Sequence, residues 1–345
     1  MRSYVGRIVR PQSIESELKF DPSTGVPVGI VGRITLAEPT PDERRAGFIS
    51  ADDLLQLADD ALAEAGFDVW VLFDRLDVAF AENHALEANA LRSLFRVYLD
   101  MLGFSAIKLK IFLRSDIWRA ITEEGFREAS HITRTVNISW NDRSLLNLIV
   151  QRLVSNGSLL EFTDANRHAI LADATKQRTW FDGLVPDQID SGRNPKTFEW
   201  IVGRVRDGQG IVAPREIIHL MDQTREAQVA ALERGEPAPE GGAIFGRAAF
   251  RDALLPVSKV RLEQTIFAEY PAFKPFIDKL TSEKTNQSAA TLAELWQIAP
   301  EEAQEVADRL VDIGFFEARG PRTDPDYWVP FLYRSALEMV QGTAE

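Results

Sequence analysis

Asp74 and Asp77 stand three residues apart at the end of the apolar run Val69–Phe73, in the stretch VWVLFDRLDVAF (69–80). A carboxylate at the end of a dry strand can hold Mg²⁺, usually through water because that ion dehydrates reluctantly, and a second can orient an attacking water. Asp74 suits the first role and Asp77 the second. A later apolar run, Ile107–Leu113, ends in Arg114-Ser115-Asp116, where a guanidinium can make bidentate pairs with phosphoryl oxygens. The same residues also have a structural reading: Asp often caps the helix that follows a strand, and Arg114 can pair with Asp74 or Asp116. Spacing alone leaves both readings open.

The surrounding elements would have to place these groups. FISADDLLQLADDALAEAG carries Ser50 as an N-cap, Asp53 three residues on, and apolar residues at helical spacing up to Gly66. The run Val69–Phe73 is too short for a helix and too continuous for a half-exposed strand, which predicts a central parallel strand buried on both faces. ALEANALRSLFRVYLDMLG is helical in period, and IKLKIFL (107–113) is the next strand. Helix, strand, helix, strand is the order of a doubly wound α/β domain, whose ligands lie beyond the carboxyl ends of the strands. Residues 1–48, with Gly25, Gly29 and Gly32, read as short strands and loops.

Composition narrows the chemistry. The 345 residues contain no cysteine, which excludes disulfides, thiol catalysis and Cys-ligated zinc, and the four histidines (His84, His131, His168, His219) are scattered. Neither His131 nor His219 stands in a motif that pairs it with a nucleophile and an orienting carboxylate, so a charge-relay triad has no support. The formal net charge of −13 opposes broad attraction to nucleic-acid phosphates. No uncharged apolar window approaches a membrane span, and MRSYVGRIVRPQS lacks a signal-peptide h-region, so a cytoplasmic protein without a membrane partner is expected.

VWVLFDRLDVAF resembles the Walker B segment of STAND-type P-loop ATPases, relatives of the AAA ATPases, and especially a bacterial family whose strand ends in D-R-L-D. LKIFLRSDIW is similar to that family's sensor strand, VNISWNDRSLLNLIVQRL to its next strand and helix, and GIVAPREIIHLMDQ to its helical lid. DIGFFEARG and DYWVPFLYRSALEM resemble its winged-helix end. The resemblance runs in order from about residue 50 to residue 342. It implies Mg-ATP bound between the α/β core and the lid, with Asp74 as metal carboxylate, Asp77 as candidate base, Arg114 and Asp116 as sensors, and Pro214 and Arg215 as lid contacts. It also implies a nucleotide-controlled switch in bacterial signalling or defence, by analogy alone.

The fold class expected on this basis is α/β: a P-loop NTPase-like parallel sheet, a helical lid and a C-terminal winged helix. The expected divisions are an incomplete core at 1–155, a lid at 156–234 and a last domain at 243–345, with GEPAPEGG (235–242) as the hinge. The core is incomplete because no G-x-x-x-x-G-K-[ST] occurs; STGVPVGIVGRIT has glycines but no Lys-Ser or Lys-Thr pair. Such a chain reads as an N-terminally shortened member, a degenerate one, or half of a split ATPase. Without the phosphate cradle, hydrolysis by this chain alone is doubtful.

The alternative is a non-catalytic adaptor or DNA-associated regulator on the same scaffold. PEEAQEVADRLVD, in the place of a recognition helix, carries Glu301, Glu302, Glu305, Asp308 and Asp312 against Arg309. That charge disfavours DNA, leaving the wing residues Arg319 and Arg322 as the minority route, and favours a protein partner or self-association. Trp118, Trp140, Trp200, Trp296 and Trp328 read as core anchors.

Overall fold

A computed structural model describes residues 11–20, 27–36, 40–45, 49–76, 84–123, 125–321 and 325–344, with the backbone alone at 11–20, 27–36 and a few helical positions that include Asp116. Packing divides the chain into two compact units, Met1–Asn137 and Ile138–Glu345. The fold class is mixed α/β.

In the first unit, β1 (Pro11–Phe20) and β2 (Pro27–Leu36) form an antiparallel pair. Helix α1 (Ala51–Glu64) begins as its sequence requires: the Ser50 hydroxyl accepts from the Asp53 amide at 3.0 Å, and Gly66 just past the helix adopts φ 71°, a conformation that favours glycine. Strands β3 (Val69–Phe73) and β4 (Ile107–Ile111) pair in parallel, flanked in sequence by α2 (His84–Asp100) and α3 (Ser115–Glu123). Ala88, Leu91 and Phe95 of α2 pack with Ile121 of α3 and with Phe126 in a small core.

The expected burial of β3 on both faces is not what the structure has. Among the described residues its sheet contains β3 and β4 only, and Trp70 and Leu72 are 62% and 59% exposed, whereas Ile107 and Leu109 of β4 are 6% and 9% exposed. The pairing explains the asymmetry: Trp70 and Leu72 share a sheet face with Lys108 and Lys110, whereas Val69 and Val71 share the other with Ile107 and Leu109. Val69, Val71 and Phe73 turn their peptide groups to β4, so those of Trp70 and Leu72 face an edge with no strand beyond it among the described residues. The further strand expected at VNISW is also missing: residues 132–141 form no strand, and Val136 and Ile138 are exposed. A central strand requires neighbours on both edges, and among the described residues no third strand supplies one.

The second unit is mostly helical. Its elements include α4 (Asp142–Leu153), α5 (Ala174–Leu184), α6 (Thr197–Arg204), α7 (Pro214–Glu233) and α8 (Leu254–Arg261). Asn141 and Ser144 close a reciprocal capping box at the start of α4. Then come β5 (Lys284–Gln287), α9 (Ala289–Trp296), α10 (Pro300–Asp312), β6 (Glu317–Arg319), β7 (Asp326–Trp328), α11 (Phe331–Arg334) and β8 (Val340–Thr343), with sheet order β6-β7-β5-β8.

One buried cluster runs from Leu145 to Leu337 and crosses the divisions expected at 155 and 234. The Gly/Pro stretch 235–242 does not separate two cores. Beyond it the Ile244 amide donates to Leu184 O at 2.9 Å, the Gly246 amide donates to Gln228 Oε1 at 2.7 Å, and Phe250 packs edge-on to Trp200. Trp200 and Trp296 are core anchors as expected, but Trp140 is exposed.

Candidate functional site

Asp74 follows the last residue of β3 and is exposed. Its Oδ1 accepts from the Arg75 amide at 2.8 Å, and Arg75 holds φ 56°, a left-handed conformation costly for a residue with a Cβ. The ends of the two strands are tied by the Phe112 amide donating to Phe73 O at 2.8 Å. Arg114 lies just beyond β4, where its carbonyl accepts the first helical bond of α3 from Trp118 at 3.0 Å. Asp116 is the second residue of α3. Parallel pairing therefore puts Asp74, Arg114 and Asp116 at the same, carboxyl-terminal end of the strand pair. Asp77 lies outside the described residues.

Mg²⁺ commonly takes one or two protein carboxylates, with water and substrate phosphates completing its six ligands. Asp74, with one oxygen accepting from a backbone amide and the other without a hydrogen bond among the described residues, fits a single-carboxylate role. Among the described residues no group of three or more His, Asp or Glu side chains is arranged to hold a metal. The ion would thus depend on phosphate oxygens, for which the sequence supplies no P-loop.

The start of β4 is held by a residue the sequence reading did not single out. Asp59, buried on α1, accepts from the amides of Ser105, Ala106 and Ile107 at 2.8, 2.7 and 2.8 Å and from the Ser105 hydroxyl at 3.1 Å. Burial pushes its carboxyl pKa up, but the four hydrogen bonds outweigh that and hold it below the ordinary value. Its signal in the sequence is a polar residue on the apolar stripe of an amphipathic helix.

Pro214 and Arg215 belong to the second unit and Asp74 to the first. Pro214 is the first residue of α7, where its missing N–H costs nothing, and Arg215 is exposed. The fold holds their neighbour instead. Glu216 is buried and its Oε1 accepts from Arg261 Nη1 at 3.0 Å, while Arg261 Nη2 lies 3.9 Å from Asp207. Burial pushes the Asp207 carboxyl up, and the Ile211 and Gln209 amides and Arg261 only partly offset it. Gly208 next to it donates its amide to Gly314 O at 2.7 Å. A Cβ on Gly208 would lie 2.0 Å from Phe316 O. Tyr333, buried on α11, donates to the same Gly314 carbonyl at 3.1 Å, and burial pushes its hydroxyl up to about 12.

At the β6–β7 end, arginines alternate with rings. Arg319 and Arg334 stand 3.7 and 4.2 Å from the Trp328 ring, and Arg334 and Arg204 stand 4.0 and 3.7 Å from Phe331. Burial, with Arg204 and Arg319 close by, brings the Arg334 pKa down to about 10. On α10, Ala303, Ala307 and Leu310 face the core, and Asp308 accepts from the Tyr327 hydroxyl at 2.7 Å. Among the described residues no helix is long and apolar enough to cross a membrane.

No protein-family model matches the chain, and no curated protein matches it. Among solved structures, the crystal structure of Cdc6p from Pyrobaculum aerophilum is similar at 15% identity, over 84% of this chain and 70% of that one. The TM-score is 0.28, below the level of chains that share one fold.

Proposed function

We propose that this chain is a P-loop NTPase-like module of the STAND/AAA-related kind, a nucleotide-controlled switch whose phosphate cradle is not contained in residues 1–345. What supports the reading is the parallel β3–β4 register, with Asp74 and Arg114 beyond the same strand ends, where α/β sheets bind ligands. In this reading Asp74 holds Mg²⁺ through water and Asp77 orients the attacking water. Arg114 and Asp116 sense the phosphates, and Pro214 and Arg215 contact the nucleotide from the lid. When bound, Mg²⁺ neutralises phosphate charge. The edge of β3 that no described strand pairs fits a sheet that takes further strands from another polypeptide, as in half of a split ATPase. The β6–β7 hairpin and α9–α10 act as a winged helix that packs against protein rather than DNA.

Hydrolysis by the isolated chain is expected to be absent, because no glycine-loop amides or P-loop lysine stabilise the charge of the transition state. Titration of a fluorescent ATP analogue with and without Mg²⁺ tests the reading. Weak Mg²⁺-dependent binding that disappears in Asp74→Ala is expected. A wild-type chain that shows no Mg²⁺-dependent binding removes nucleotide recognition from this chain and leaves the second reading, a non-catalytic adaptor. The exposed acidic face of α10 favours protein over DNA for that adaptor, and a gel shift at low salt would reverse this preference.

A further inference from the structure

Helix α7 presents one face to a groove. Residues at three- and four-residue steps from Ile218 to Leu232 line it, and α4 and the short helix Gly157–Phe162 form the facing wall. The space measures about 450 Å³, within the usual size of small-molecule sites. Ile149 and Phe245 close its floor and are buried, whereas Val229 and Leu232 remain 47% and 45% exposed at the far end of α7. Apolar side chains held open along a concave wall gain free energy when a ligand covers them.

The polar groups of the groove select what that ligand carries. Arg152 on α4 and Arg225 on α7 both line it. Arg225 lies 3.8 Å from the exposed Glu226, a weak contact, and Arg152 has no carboxylate within ion-pair distance among the described residues. Asp222 is the one carboxylate in the lining. Two guanidiniums and one carboxylate leave a single net positive charge, which suits a singly charged anion better than a phosphate monoester.

We propose that this groove binds a linear amphipathic carboxylate, a fatty acid, with its chain along Met221, Val229 and Leu232 and its headgroup at Arg152 and Arg225. The site lies wholly within the second unit and does not depend on the nucleotide reading.

The test is titration of the full chain with dansyl-labelled undecanoate, followed by displacement with unlabelled carboxylates of increasing length. Saturable binding is expected, each added methylene tightening it about fourfold until the groove is full. An alcohol of equal length should compete at least about tenfold less well, as should the carboxylate against the Arg152→Ala/Arg225→Ala variant. Met221→Trp, which fills the groove, should abolish binding while circular dichroism stays unchanged. Absence of saturable binding overturns the proposal, as does binding that Met221→Trp leaves intact or that alcohol matches. An alkyl phosphate that outcompetes the carboxylate overturns the headgroup assignment. Dimers that dissociate on Val229→Glu/Leu232→Glu would assign the groove to a second copy instead.

Discussion

Strand β3 and helix α6 are both short apolar segments ending in a charged residue, VWVLF before Asp74 and TFEWIVG before Arg204. On α6, Phe198, Trp200, Ile201 and Val202 are all buried, and Arg204 lies over the Trp200 ring and 3.1 Å from Asp190. On β3 the apolar residues are mostly exposed, and the nearest cation to Trp70 is Lys110, 4.8 Å above its ring. The difference is not hydrophobicity. A helix satisfies its backbone internally and needs neighbours only for its side chains, whereas a parallel strand needs partners at both edges and layers on both faces. The second unit supplies the helix's needs, and the described residues of the first meet only half of the strand's.

Substitutions can sharpen that contrast. The largest effect is expected in the second unit: Arg261→Met leaves Glu216 and Asp207 buried without their cation and should cost about 3–5 kcal/mol by urea denaturation. Adding Glu216→Gln should recover part of the loss. If Arg261→Met is neutral, the ion cluster does not hold α7 to α8. Gly208→Ala forces a Cβ against the Phe316 carbonyl and should destabilise by about 1–3 kcal/mol, read as a lower Tm.

In the first unit the effects are local. Because the folded pKa of Asp59 is depressed, its contribution is present above the ordinary carboxylate value of about 3.9 and is lost as pH falls through the folded value. Hydrogen exchange at the Ser105, Ala106 and Ile107 amides should quicken over that acid range, and Asp59→Asn should show the fast exchange already at neutral pH. An unchanged pattern would mean that β4 is held by other contacts. Smallest of all, Trp70→Lys should shift stability by no more than about 0.5 kcal/mol, since it removes an exposed ring. A loss of several kcal/mol would show that the open face of β3 is covered in solution.

Much of the local structure was legible in the sequence. Ser50 and Asp53 announced α1 and Gly66 its end, because caps and breakers act within a few residues. The parallel β3–β4 pair and the place of Asp74 and Arg114 at its end were also readable from the alternation of apolar runs with helices. Burial was not. VWVLF read as an interior strand and VNISW resembled a further strand, yet both are exposed, since burial depends on which strands lie alongside. The chain near 235–242 read as a hinge from its Gly and Pro content, but the bonds of Ile244 and Gly246 back to Leu184 and Gln228 close one core around it.

The candidate site divides along the same line. Asp74, Arg114 and Asp116 could be found because strand ends are set by local pattern. Glu216, Asp207 and Arg261 could not, since a charged side chain reads as solvent-facing until its distant partner is known, and Asp59 gave only the signal of a polar residue on an apolar stripe. By itself, the sequence determined the elements, their caps and the carboxylate beyond the end of β3, all consequences of forces acting within one or two turns of chain. Only the tertiary structure decided which strand stays half-paired, which charges are buried together and that one core spans 145–337. Those outcomes depend on contacts between residues far apart in the chain, which no short stretch encodes.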